Sequence, residues 1–226
     1  MAFFGDKFGI KEVADVAFYK VGDVIYNSAT GKVTTRALKT GETEVKPVLV
    51  FNTLKTSSLE FTGETAEARG GKGNAVLLSW DHSREATLTL EDALLSADSL
   101  RAMLSNSNFE GDGDSASQDF QSTVISIDAN GFPDTYTVVG KTFARGTDGR
   151  DHLLTFLVFK AKVSSEANLE MSADGDPSTL NMTLKVLRCE NNEKNMGCKD
   201  GDMVKLIIDE KTDGTTFDMT FPTTTK

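Results

Sequence analysis

Two stretches, Leu180-Asn181-Met182-Thr183-Leu184-Lys185-Val186 and Glu85-Ala86-Thr87-Leu88-Thr89-Leu90, decide the fold class. In each, apolar and polar residues alternate strictly. Successive side chains of a β-strand point to opposite faces, so each run offers one apolar face and one polar, Thr-rich face. Threonine suits that setting because its branched Cβ is stiff and packs on a pleated surface. The same period recurs at Ser58–Thr62 and Thr216–Phe221.

Turn chemistry separates the runs. Asn130-Gly131 lies between Thr123–Asp128 and Thr135–Lys141, Asp213-Gly214 between Val204–Glu210 and Thr215–Phe221, and Asp148-Gly149 between Val138–Ala144 and His152–Lys162. Each reads as a hairpin, because these dipeptides tolerate the positive φ of tight turns. One segment departs from the pattern. Leu90–Leu95 and Ser99–Leu104 space their apolar residues as a helix does, with Ser96 or Asp98 available as a cap. The expectation is a mainly β protein, an antiparallel β-sandwich or small barrel with one flanking α-helix. Residues 1–226 form a single domain, with a long polar loop at 27–46 and a Ser-, Asn-, Gly- and Asp-rich loop at 105–121.

Composition bounds what such a domain does. The chain has 226 residues, 24 Lys+Arg against 34 Asp+Glu, and a net charge of −10. An acidic chain lacks the basic footprint that a general binder of nucleic acid or anionic membrane needs. No run approaches the roughly 20 apolar residues of a membrane-spanning helix. The start, Met1–Glu12, does not read as a secretory signal. The expectation is a soluble protein of the cytoplasm or of a particle.

The search for chemistry finds little. His82 sits in Trp80–Arg84, read as a hairpin turn, and His152 opens a strand; both read as surface positions. Gly70-Gly71-Lys72-Gly73-Asn74 is no phosphate loop: Ala66 and Gly73 stand where Gly and Ser/Thr belong, and a strand follows instead of a helix. Asp112 with Asp114, and Asp174 with Asp176, begin calcium-loop spacings that the later positions do not complete. Two cysteines, Cys189 and Cys198, form no disulfide framework and no zinc set. Free thiols in a reducing cytoplasm are the expectation, and a disulfide formed after release from a cell is the lesser alternative. Phe51, Phe61, Phe156, Phe159 and Phe217 fall on apolar phases and read as core. No catalytic residue, cofactor or metal site is expected.

Leu153–Phe159 is apolar on nearly every position, so it must be covered on both faces, within the fold or by a neighbouring subunit. Phe156 and Phe159 are thereby candidate inter-subunit contacts.

Two segments carry a family resemblance. Leu78–Asp81 running through Ala86–Ser96 resembles the strand–turn–strand–helix segment of the tail tube proteins of long-tailed bacteriophages. Met171–Leu184, with Gly175-Asp176-Pro177 leading into an alternating strand, resembles their closing portion. The resemblance implies a virion structural protein, not an enzyme, made in the host cytoplasm and built into the tail. Six copies would form a ring whose sheets join into an inner β-barrel, and stacked rings would form the hollow tube through which the genome passes. The implied partners are other copies of the chain, the tail tip or baseplate, and the tape-measure and tail terminator proteins. DNA would pass without specific binding, and no membrane is involved.

Within that expectation, the glutamates of the polar phases, Glu60, Glu85 and Glu91, are candidate lumen residues, since an acidic lumen repels phosphates. Lys32, Arg36, Lys39 and Lys46 in the 27–46 loop are candidate contacts to acidic turns of the adjacent ring. The competing readings are a capsid decoration or baseplate protein, and a non-catalytic carbohydrate- or protein-binding β-sandwich. With one Trp and three Tyr, the chain is poor in the aromatic platforms that sugar binding uses.

Overall fold

The computed structural model describes residues 7–35, 45–94, 99–100, 109–111, 123–125, 133–147, 149–164, 179–191, 193–209 and 221. In chain order the strands are β1 (Phe8–Ile10), β2 (Asp15–Lys20), β3 (Val24–Asn27), β4 (Lys32–Thr35), β5 (Leu49–Phe51), β6 (Leu54–Gly70) and β7 (Ala75–Asp92). There follow β8 (Phe109–Gly111), β9 (Thr123–Ile125), β10 (Thr135–Gly146), β11 (Asp151–Val163), β12 (Leu180–Leu187) and β13 (Val204–Asp209), with one 3-10 turn at Glu193–Asn195.

Nine strands make one antiparallel sheet in the order β5-β2-β10-β11-β12-β7-β6, with β1 added to β10 and β13 to β11. The alternation quoted above sets its faces. Leu180, Met182, Leu184 and Val186 are buried while Asn181, Thr183 and Lys185 are exposed, and Ala86, Leu88 and Leu90 on the paired β7 are buried beside them. Phe18 and Phe51 from one end of the strand order and Leu88 and Leu90 from the other end share a single core cluster, so the sheet curls round on itself. Each fully buried Leu or Phe contributes about 1.5–3 kcal/mol.

The central strands carry a second core on their other face. Ala17, Tyr19, Val139, Leu157 and Phe159 pack with Cys189, Met196 and Cys198. The cover is the β3–β4 hairpin, which Tyr26 N ties to Met196 O at 2.8 Å, and the loop closed by a Cys189–Cys198 disulfide. Lys160 Nζ, 2.9 Å from Glu193 Oε2, pins the same loop to β11, and its hydrogen bond holds the Glu193 carboxyl below the usual range. The apolar run of β11 is therefore covered on both faces by the chain itself. Phe159 is a core residue, not a contact offered to a neighbour, and Phe156 is core as well.

Several expectations are corrected. Residues 27–46 are not one loop: Asn27 closes β3, Lys32–Thr35 pairs back on it, and Gly31, at φ +70°, makes the turn. Residues 36–44 lie outside the described residues, as does most of 105–121, of which Phe109–Gly111 is a strand. Among the described residues Thr123–Ile125 pairs with β8 and not with β10, and the expected turn at Asn130-Gly131 lies outside them. The turn before β11 is as expected, with Gly149 at φ +76°. The stretch around Asp213-Gly214 lies outside the described residues. The flanking helix is not found where expected: Leu90–Asp92 finish β7, Ser99 and Leu100 are helical, and 95–98 and 101–104 lie outside the described residues. Trp80–Arg84 is not a turn either but runs through β7, with a bulge at Ser83 (φ +54°). The turn is at Gly71–Asn74.

Candidate assembly surfaces

β6 and β7 are 17 and 18 residues long, far beyond the usual five or six. Their inner halves belong to the sheet. Their outer halves form an arm: no residue from Thr62 to Glu85 is buried. At about 3.3 Å per residue the arm reaches roughly 25–30 Å past the core. Register gives it two different faces. Ala66 opposes Trp80 and Ala68 opposes Leu78 on one face, while Thr65 opposes Asp81 and Glu67 opposes Ser79 on the other. Thr65 Oγ1 donates to Asp81 Oδ1 at 2.8 Å. Small alanines opposite Leu78 and Trp80 leave these large side chains standing proud, 66% and 54% exposed. Such an apolar face on a projecting element marks a contact surface.

The inner half of the hairpin carries a second feature. Thr56↔Glu91, Ser58↔Thr89, Glu60↔Thr87 and Thr62↔Glu85 are partners on β6 and β7, and β12 adds Asn181, Thr183 and Lys185 opposite Glu91, Thr89 and Thr87. Glu60, Glu85 and Glu91 therefore share one polar face, as three threonine-flanked carboxylates with one lysine, Lys185, bonded to Glu85 at 3.2 Å. The structure brings together the three residues named as lumen candidates. It does not bring the basic candidates to them: Lys32 is exposed on the β3–β4 hairpin over the other face, and Lys46 is exposed just before β5. Arg36 and Lys39 lie outside the described residues.

The outer edge of β6 is bonded to no strand among the described residues, which leaves a long row of backbone groups for another chain. Between that edge and β1 runs an apolar groove of about 650 Å³, floored by Leu88, Leu154 and Phe156 and rimmed by Phe8, Ile10 and Leu206. Phe61, expected in the core, lies at this groove and is 47% exposed. Sequence reasoning missed the groove because it lies between strands distant in the chain, and it missed the arm because alternation alone does not say where a strand leaves its sheet.

Nothing at the histidines suggests catalysis. His82 lies 3.3 Å from Glu64 on the exposed arm. His152, read as a surface position, is 3% exposed. The described residues contain no group of three or more potential metal ligands, and the aspartates of the incomplete calcium spacings lie outside them.

The profile of the YomU/Tube protein family matches residues 37–120 and residues 115–198. The chain belongs to the YomU/Tube protein family. Its matched region holds the whole β6–β7 arm, the polar glutamate face and both segments that carry the resemblance to tail tubes. Membership makes the protein a phage tube structural protein. No curated protein matches the chain significantly.

Proposed function

We propose that this protein assembles with copies of itself into stacked hexameric rings, forming the hollow tail tube through which a long-tailed phage passes its genome. The observation that carries the reading is the β6–β7 hairpin. It combines a long edge that pairs with no strand among the described residues, an aggregation hazard if left exposed on an isolated subunit, with a projecting apolar face. Edge-to-edge addition in a ring consumes such an edge, and a heterologous contact repeated along an axis builds an open tube. The face bearing Glu60, Glu85 and Glu91 then lines the lumen, where like charge keeps DNA moving. Lys32, Arg36, Lys39 and Lys46 face acidic turns of the adjacent ring. The tube sits in the virion tail, closed by tail tip and terminator proteins and filled by a tape-measure protein before DNA passes.

Negative-stain electron microscopy of concentrated protein, with light scattering alongside, tests this. Uniform hollow rings or tubes are expected. A small closed oligomer without a lumen favours a decoration or baseplate protein instead, and a sample monomeric at every concentration overturns self-assembly.

A further inference from the structure

Most of the exposed large apolar side chains among the described residues fall into two sets. Phe8, Ile10, Val13, Phe61 and Leu206 surround the groove between β1 and β6, and Val76, Leu77, Leu78 and Trp80 stand on the arm. One set is concave and the other projects. Both belong to the β6–β7 region, the groove beside its base and the apolar face towards its tip. A continuously paired two-stranded ribbon does not fold back on its own base, so the two sets cannot meet within one chain. They can meet between two.

We propose that the groove of one copy receives the Leu78–Trp80 face of the arm of a second copy. The charges agree with the shapes. Lys11 and Lys55 stand at the groove with one acid, Glu12, and the arm face that carries Ala66, Ala68, Leu78 and Trp80 also carries Glu64, while Glu67 and Asp81 are on its opposite face. The floor of the groove, Leu88, Leu154 and Phe156, is buried core, whereas Phe8, Ile10, Phe61 and Leu206 around it are exposed. An inserted arm would therefore cover the apolar rim of its neighbour's groove. The contact is heterologous, arm to groove, so each copy donates once and accepts once, and the arrangement propagates until it closes. This rests on the self-assembly proposed above and names the surfaces that perform it.

Trp80 is the only tryptophan of the chain and sits on the docking face, so its fluorescence reads docking directly. In the full-length protein, emission is expected to move to shorter wavelength as light scattering reports assembly. Ile10→Glu and Leu206→Glu, at exposed positions that leave the melting curve unchanged, are expected to abolish both the shift and the assembly. With Cys189 and Cys198 bonded to each other, a mixture of Ile10→Cys and Leu78→Cys proteins presents one thiol per chain, and a short bismaleimide is expected to join the two. Tubes that form with Trp80 still solvent-exposed, with no Ile10–Leu78 link, or undisturbed by the groove variants overturn the docking and leave the tube standing. Linked, blue-shifted oligomers that never become rings or tubes uphold the docking and overturn the tube. A protein that stays monomeric with Trp80 exposed overturns both.

Discussion

Gly140 on β10 and Phe156 on β11 are directly opposed, and the Phe156 ring lies over the glycine in the space that any side chain at 140 would occupy. A Cβ there would overlap the ring itself, which shares its core cluster with Val16, Val138 and Val158. Gly140→Ala is expected to destabilise the protein by about 1–3 kcal/mol, as overpacking of a tight core does. Gly9→Ala, where an added methyl meets nothing, is expected to stay within about 0.5 kcal/mol of the wild type. Urea unfolding of both variants decides it. Equal midpoints would mean that the ring does not lie over Gly140.

The Cys189–Cys198 bond closes a short loop across the second core. A loop of that length is expected to contribute about 2–3 kcal/mol by restricting the unfolded chain. The paired Cys189→Ser and Cys198→Ser variant should lose about that much, and more if the buried hydroxyls go unsatisfied. Treating the wild type with reductant should reproduce most of the loss. Thermal melts with and without reductant measure it, and a wild-type protein indifferent to reductant would show that the bond does not form.

Asp151 offers a pH test. The hydrogen bond from Arg145, helped by Lys11 and opposed by partial burial, lowers its carboxyl to about 2. Because the folded value lies below the unfolded one, its stabilising contribution is complete above the ordinary carboxylate range and is lost as pH falls towards 2. Arg145→Gln should raise the Asp151 titration midpoint towards that range while leaving Glu193 unmoved, since Glu193 answers to Lys160. Carboxyl titration followed by NMR reads both. A midpoint unchanged by the substitution would assign the shift elsewhere.

The exposed bases proposed to meet the adjacent ring give a further expectation. Lys32→Glu with Lys46→Glu should leave folding intact, because both side chains are at the surface, and should shorten or abolish tubes. Tube lengths on electron micrographs measure it. Unaltered lengths would take these residues out of the stacking contact.

How far the sequence reveals this depends on which faces of a strand differ. Leu180–Val186 and Ala86–Leu90 are legible because one face is core and the other solvent, and the same parity brings Glu60, Glu85 and Glu91 together in the structure. Leu153–Phe159 shows that both of its faces are covered but not by what, and the cover proves to come from segments far along the chain. Leu90–Asp92 misled because Leu90, Ala93 and Leu94 also fit a helical stripe, while pairing with Leu180–Met182 holds Leu90–Asp92 in the sheet. Trp80–Arg84 misled because its polar residues resemble a turn, although on an arm wet on both faces they are ordinary strand residues.

The acidic face is the sharpest test of the tube reading, because its charge is separable from its fold. Glu60 and Glu85 are exposed and Glu91 is half-buried, and the exposed Lys185–Glu85 pair is worth at most about 1 kcal/mol. Replacing the three with lysine should therefore leave melting temperature and tube diameter nearly unchanged. It turns each copy from three negative to three positive charges on that face, and a ring multiplies the change by its number of copies. Wild-type tubes should ignore DNA at physiological salt. The reversed tubes should retain DNA with an affinity that falls steeply as salt rises, the signature of phosphate neutralisation. Charge on the outside of a tube would retain DNA too, so threading separates the cases: a lumen-facing reversal protects bound DNA from nuclease, and an outward-facing one leaves it open to digestion. Digestion of all bound DNA would turn the glutamate face outward and put the lumen on another surface of the sheet.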